Sequence, residues 1–230
     1  MEQEISGYRV QTCGGPGGCP NRAIISEGLA EVIGERLAEQ DLKTFLKKIV
    51  RGPLKIHHEL QISISDCPNA CSRPQIADIG LIGACRPVVT DERCSGCEAC
   101  VEACREAAVS LIDGAPVVDE RKCLSCGKCI AVCPTGTLQA GRCGYRILLG
   151  GKLGRHPRLG SELPGIFDKD SLLEIIDRCV DYYRTHCAEG ERLGEIMSKN
   201  GEEDILKIIT PDNHDEFVKS CEILESETAS

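Results

Sequence analysis

Between residues 21 and 50 apolar side chains recur at three- and four-residue steps: Ile24, Ile25, Leu29, Val32, Ile33 and Leu37, then Leu42, Phe45, Leu46 and Ile49. That period matches the turn of an α-helix and predicts a helical region that lays its apolar stripes on a core. Asp41 stands where a cap would open the second helix, and Gly52-Pro53 stops it. The period changes to two at Leu60-Gln-Ile-Ser-Ile-Ser65, which predicts a half-buried strand. Shorter strands are expected at Tyr8–Gln11 and Tyr145–Leu149, and an apolar, glycine-rich segment runs from Ile76 to Gly83. The helical period returns at Leu172, Ile175, Ile176, Cys179, Val180 and Tyr183, with Ser171 and Glu174 spaced as a capping box. Residues after Pro211 are acidic and polar and read as a weakly docked tail.

In the middle of the chain cysteine spacing takes over. Residues 94–104 read C-S-G-C-E-A-C-V-E-A-C, and residues 123–134 read C-L-S-C-G-K-C-I-A-V-C-P. Two C-x2-C-x2-C-x3-C runs in tandem are the bacterial two-cluster ferredoxin pattern. Three cysteines at two-residue intervals wrap one corner of an iron–sulfur cube, and the fourth crosses to the other cube. The expected ligand sets are Cys94, Cys97, Cys100 and Cys133 for one cluster, and Cys123, Cys126, Cys129 and Cys104 for the other. Structural zinc is the alternative. Zinc motifs usually pair two short knuckles across a loop, rather than placing four cysteines in one tight run. Arg105 stands where the second run has Pro134, a departure that touches no ligand. Each run leads into a short strand, Ala108–Leu111 or Gly136–Gln139. Each strand is expected to pair with a segment that precedes a cysteine run, Pro87–Val89 or Pro116–Val118.

Composition sharpens this reading. Seventeen cysteines in 230 residues, with no apolar leader after the acidic Met1-Glu2-Gln3-Glu4, predict a cytoplasmic, reduced, anaerobic protein whose cysteines hold metal. No run is long enough to span a membrane, and a net charge of −9 argues against nucleic acid. Aromatics make up 3% and Trp is absent, so the apolar core is thin and bound metal would supply part of the folding energy.

Four cysteines outside the tandem runs form a second constellation. Cys13 and Cys19 enclose G-G-P-G-G, and Cys67 and Cys71 bound C-P-N-A-C. The first pair taken alone reads equally well as a loop with two buried thiols. Further along stand R-P-Q-I-A-D-I-G at 73–80, G-G-K-L-G-R-H-P-R at 150–158 and E-R-L-G-E at 191–195. Together and in this order, these motifs resemble the siroheme and 4Fe–4S domain of sulfite and nitrite reductases, over most of residues 8–200. The resemblance implies an α+β fold: a sulfite/nitrite reductase-like domain (residues 1–85 plus 142–230) interrupted by a two-cluster ferredoxin-type domain (86–141).

The resemblance also implies a third 4Fe–4S cluster on Cys13, Cys19, Cys67 and Cys71, with the Cys71 sulfur bridging to siroheme iron. Siroheme carries many carboxylates. Lys152, Arg155 and Arg158 would hold them, helped by Arg73, unless this is merely a solvated basic loop. Arg9 is a candidate for contact with an anion or a siroheme carboxylate. Cys71, Arg9, Arg73 and Lys152 are thus the expected catalytic residues. Glu59 and Gln61, in the strand before Cys67, are a departure, since a carboxylate opposes an oxyanion. His57 and His58 beside them are either proton donors or surface polar sequence.

The family also places another half-module before the first cysteine pair. A partner chain or a second copy in a homodimer would then complete the siroheme pocket here. The implied activity is reduction of sulfite, nitrite or a similar small oxyanion, with electrons from an external donor such as a ferredoxin or a reductase subunit. The alternative is a non-catalytic three-cluster electron-transfer subunit that lacks siroheme.

Overall fold

The structure is a computed structural model, and it describes residues 5–209. In chain order the elements are β1 (Tyr8–Thr12), α1 (Leu29–Glu39), α2 (Leu42–Ile49), β2 (Leu60–Ser65), β3 (Ile79–Val89), α3 (Ala99–Ala103), β4 (Val109–Ile112), β5 (Ala115–Val118), α4 (Lys128–Ala131), β6 (Leu138–Leu149), β7 (Ser161–Glu162), α5 (Lys169–His186), α6 (Leu193–Asn200) and α7 (Glu202–Ile209). The main sheet has the order β1-β2-β3-β6-β7. Its first three strands are parallel, and β6 and β7 are antiparallel to their neighbours.

Strand alternation decides which face carries the helices. Leu60, Ile62 and Ile64 of β2 join Ile79 and Leu81 of β3 and Ile147 and Leu149 of β6 in the core. Leu29, Ile33 and Leu37 of α1, Leu42 and Leu46 of α2, and Leu172, Ile175 and Ile176 of α5 cover them. Cys179 lies in this core as a small apolar residue. The alternate positions Ser63 and Ser65 face the opposite way and are buried only because the loop after β2 folds back over them.

Three local expectations shift. Helix α1 begins at Leu29 rather than near Ile24, because the N–H groups of Ala23 and Ile24 donate to the Asp66 carbonyl instead of starting a helical ladder. Helix α5 is capped by Asp168, whose carboxylate accepts the Ser171 N–H at 2.8 Å, so Ser171 lies in the first turn. The strand at 145–149 is the end of the twelve-residue β6. Asp41 does cap α2, accepting the Thr44 N–H. Cys221 and the acidic tail lie outside the described residues.

The segment between β3 and β6 is a small unit with its own hairpin, β4 against β5, and two short helices. Val109 faces Val118, and Leu138 faces Val89, so each strand after a cysteine run pairs with one before a run. The halves repeat in backbone as well as sequence. Gly96 and Ser125, Glu98 and Gly127, and Ala107 and Gly136 are equivalent positions, and all six have positive φ. A side chain is accepted at half of these left-handed positions, at some cost in strain, so the loop geometry outweighs residue preference. The boundaries expected at 85/86 and 141/142 fall inside β3 and β6. Both strands run through unbroken, with a register shift between Cys85 and Pro87.

Candidate metal centres

Parallel strands β1 and β2 end side by side, and the loops at their carboxyl ends carry the first thiol group. In open sheets with parallel strands this is where ligands gather. The chain leaves β1 with Cys13 still bonded to the sheet, its N–H donating to the Ile64 carbonyl at 2.9 Å. The Gly-rich loop then folds over the end of β2. Asp66, 1% exposed, anchors it: its carboxylate accepts the Ser26 hydroxyl, and its carbonyl accepts Ala23 and Ile24. Gly15 packs so closely on Asp66 that a Cβ would overlap the carboxylate. Gly15→Ala is therefore expected to push the loop off Asp66 at a cost of about 1–3 kcal/mol, read as a lower melting temperature and reduced iron uptake.

After Asp66 the chain turns sharply, with Ala70 at φ 52° and Arg73 at φ 61°. Ser72 pins this turn to the polar face of the sheet. Its hydroxyl donates to the Ile64 carbonyl at 2.7 Å, and its carbonyl accepts from Gln11 and Ser63 at 2.6 and 2.7 Å. The result gathers the four cysteines. The thiol pKa of Cys67 is raised first by burial and then by the nearby sulfurs of Cys71, Cys13 and Cys19. The Cys13 sulfur accepts the N–H groups of Gly15 and Asp66, and Cys71 lies exposed.

The tandem runs gather two further groups, and the runs cross. Burial and the sulfurs of Cys123, Cys126 and Cys104 push the Cys129 thiol up to about 12. Burial and the sulfurs of Cys133 and Cys94 raise that of Cys100. Thus Cys104 of the first run sits with the second, and Cys133 of the second sits with the first. Cys97 is exposed. Backbone N–H groups aim at sulfur in matched pairs: Gly96 to Cys94 and Ser125 to Cys123, both at 3.4 Å, then Ala108 to Cys104 at 3.2 Å and Leu138 to Cys133 at 3.4 Å. Burial opposes ionisation of Cys133, but the Leu138 N–H and the Thr135 hydroxyl outweigh it, and its pKa falls.

Crowded, buried thiolates repel one another, so such sets need a cation between them, and soft sulfur donors favour iron–sulfur or similar centres. Among the described residues, no three His, Cys, Asp or Glu side chains converge as they would around a single metal ion. A cavity of about 180 Å³ lies between the groups. Cys104, Cys123, Cys126 and Cys129 line it together with Cys67 and Asn69. The donor chemistry of the three groups fits polynuclear centres, and the four sulfur residues Cys104, Cys123, Cys126 and Cys129 also share one cavity.

The expected siroheme-binding cations divide in two. Lys152 and Arg158 close the base of a hairpin by reciprocal backbone bonds at 2.9 Å, and both are committed to acids of the C-terminal helices. Lys152 bonds Glu195 at 2.6 Å, and Arg158 bonds Glu202. Arg9 pairs at 3.3 Å with Glu59, which is 1% exposed and therefore sits inside the protein rather than over an open anion site. Arg155, at the exposed tip of the hairpin, and Arg73 make no ion pair among the described residues. The hairpin packs against the turn after Arg73, with the Gly160 N–H on the Gln75 carbonyl. His57 and His58 are stacked edge to face on the surface.

Glu195 has its pKa lowered, chiefly by the Lys152 hydrogen bond and despite partial burial. A depressed carboxylate stabilises the fold above its unfolded pKa, and this contribution is lost as pH falls through the folded value. Stability is therefore expected to drop as pH goes below the ordinary glutamate range. Glu195→Gln should remove part of that dependence, by less than about 1 kcal/mol because water screens the pair. Acid titration of the melting temperature of both proteins measures this.

Known proteins bear on this arrangement. A family model described as the nitrite and sulphite reductase 4Fe-4S domain matches residues 8–216. The coenzyme F420-dependent sulfite reductase of Methanocaldococcus jannaschii is 32% identical over 191 residues, which cover 82% of this chain and 28% of that protein. One of the anaerobic sulfite reductase subunits of Salmonella typhimurium is 42% identical over 55 residues, or 24% of this chain and 16% of that protein. The chain thus spans under a third of the length of either relative. The crystal structure of dissimilatory sulfite reductase I shares the fold, with a TM-score of 0.61 at 18% identity over 95% of this chain and 56% of the other. No described helix is long and apolar enough to cross a membrane. On the family match across nearly its whole length, this chain belongs to the nitrite and sulphite reductase 4Fe-4S domain family.

Proposed function

We propose that the chain is the iron–sulfur, siroheme-carrying part of a sulfite or nitrite reductase, with a two-cluster ferredoxin-type unit built into it. The observation that carries this reading is the meeting of Cys13, Cys19, Cys67 and Cys71 from two loops 48 residues apart. These four thiols would hold one 4Fe–4S cluster, and the two crossed groups in 94–133 would hold two more. When bound, the clusters supply one-electron transfer, and siroheme supplies an iron at which an oxyanion is reduced.

The residues of this chain supply the rest. Peptide N–H groups aimed at Cys94, Cys104, Cys123, Cys133 and Cys13 lower the charge on sulfur and so tune reduction potential. Burial of Cys67, Cys100 and Cys129 excludes water from the sulfurs. The group containing Cys104 and Cys123 lines the same cavity as Cys67; it would therefore be the nearer supplier of electrons, and the group containing Cys94 the outer receiver from an external donor. Cys71, on the exposed edge, faces outward where a tetrapyrrole would lie. Arg73 beside it and Arg155 on the adjoining hairpin would take up its carboxylates or the substrate anion. A second chain would supply the remaining wall.

The ion pairs Lys152–Glu195, Arg158–Glu202 and Arg9–Glu59 favour a second reading, a three-cluster electron-transfer subunit with no siroheme, since they occupy three of the expected anion-binding cations. Anaerobic purification followed by visible spectroscopy and iron analysis decides between them. Sharp siroheme bands with about thirteen irons per chain support the first reading; about twelve irons with broad cluster absorption alone support the second. Four irons or fewer per chain would remove both.

A further inference from the structure

One sulfur pair remains outside the three thiol groups. Cys85 on β3 and Cys143 on β6 stand opposite each other in the sheet register, with Cα atoms 4.0 Å apart, and form a disulfide. The other described cysteines are free. The bond lies where β3 and β6 leave the main sheet, and it touches the loop of one thiol group directly. The Cys85 N–H donates to the Ser125 carbonyl at 2.6 Å, and Cys85 makes an isolated β-bridge with Cys126. A side chain at Gly127 would meet the Cys85 Cβ at 3.5 Å. The pair also borders a cleft of about 540 Å³, lined by Cys126, Lys128, Tyr145 and Lys169 among others. A disulfide opens and closes by gain and loss of two electrons, and one in direct contact with a thiol-rich loop is placed to exchange them with whatever redox centre that loop holds.

We propose that Cys85 and Cys143 form a dithiol–disulfide couple that exchanges electrons with the centre held by Cys104, Cys123, Cys126 and Cys129, resting on the reading above that this group holds an iron–sulfur cluster. In the reductive direction the S–S bond breaks. Two electrons enter singly from the reduced neighbouring centre, which a low-potential one-electron carrier recharges. Two protons arrive from water in the cleft, and two thiols result. The reverse step re-forms the bond and returns both electrons and both protons. The couple stores a pair of electrons beside centres that each carry one, which suits an oxyanion reduction that consumes several.

The test uses the holoprotein prepared without oxygen, with iron analysed first. The protein is titrated with dithionite, alkylated with iodoacetamide at each stage and mapped by mass spectrometry. Cys85 and Cys143 are expected to be unmodified in the oxidised protein and both modified once the clusters are reduced. At equal iron content the wild type should take up two more electrons per chain than Cys85→Ser/Cys143→Ser. Alkylation before reductant is added, a bond that stays closed through cluster reduction, or equal electron uptake would each overturn the couple. If the double variant does not fold, the alkylation map of the wild type decides alone. A shortage of iron at the outset would instead sink the cluster reading beneath it, while a full iron complement with a closed bond sinks only the couple.

Discussion

Serine in place of Cys67 is expected to strip the protein of about a third of its cluster iron, roughly four of the twelve atoms in three clusters, and to abolish any oxyanion reduction, while the remaining clusters still take up electrons. Cys67 is the buried member of its group, and it adjoins the sulfurs of the other three. A serine oxygen is harder and less readily ionised than sulfur, so it is a poor ligand for iron in such a centre. The loss should stay local, because the groups in 94–133 are built from separate backbone: Cys133 is held by the Leu138 N–H and Cys104 by that of Ala108. Iron analysis with electron paramagnetic resonance of the reduced protein reads both parts. Cys179→Ala is the control. Burial alone raises the pKa of this thiol on α5, which sits among apolar neighbours, so its loss should lower the melting temperature and leave iron unchanged. Unchanged iron in Cys67→Ser would refute the four-thiol centre.

The largest effect on stability is expected from Arg192→Met, a loss of about 3–5 kcal/mol. Asp78 lies 1% exposed at the start of β3, where its carboxylate accepts the N–H groups of Gln61 and Leu193 and the guanidinium of Arg192 at 2.8–3.2 Å. Burial raises its pKa, and Arg192 opposes that rise. Removing the guanidinium leaves a carboxylate buried without its counter-charge. Helix α6 should then loosen, and with it the contact where Gly194 packs onto Gly150 too closely to admit a side chain. At this chain length the loss corresponds to a fall of roughly 10 °C in melting temperature. Asp78→Asn should cost less, because an amide still accepts the two N–H groups and Arg192, one-fifth exposed, can turn to water. Calorimetry of the two variants under argon separates them, and equal melting temperatures would argue against a buried pair.

These two sites show what the chain discloses before it folds. The spacing of Cys94 to Cys133 was legible because a cysteine run encodes its loop locally, and each run carries its own left-handed positions with it. The meeting of Cys13 and Cys19 with Cys67 and Cys71 rested on a resemblance, since nothing in either loop alone names the other. The motifs at 73–80 and 191–195 were visible as strings, but not as partners. That Asp78 of one grips Arg192 of the other depends on β3 and α6 meeting in space. The same holds for Lys152 with Glu195 and Arg158 with Glu202, more than forty residues apart, and for Arg9 with Glu59. A basic loop read along the chain cannot tell which of its charges are already spent, so Arg155 could not be singled out from its neighbours. The start of α1 was misplaced for a related reason: the apolar pattern from Ile24 is genuine, but the Asp66 carbonyl captures the first donors.

Strands β3 and β6 carry the chain out of the main sheet and back into it as neighbours, Pro87 facing Ala140. The cysteine-rich unit therefore hangs from a single doorway one strand-pair wide. Nothing in the parent sheet threads through it, so a shorter hairpin, or a unit of different size, could be exchanged at that doorway without re-routing any other strand.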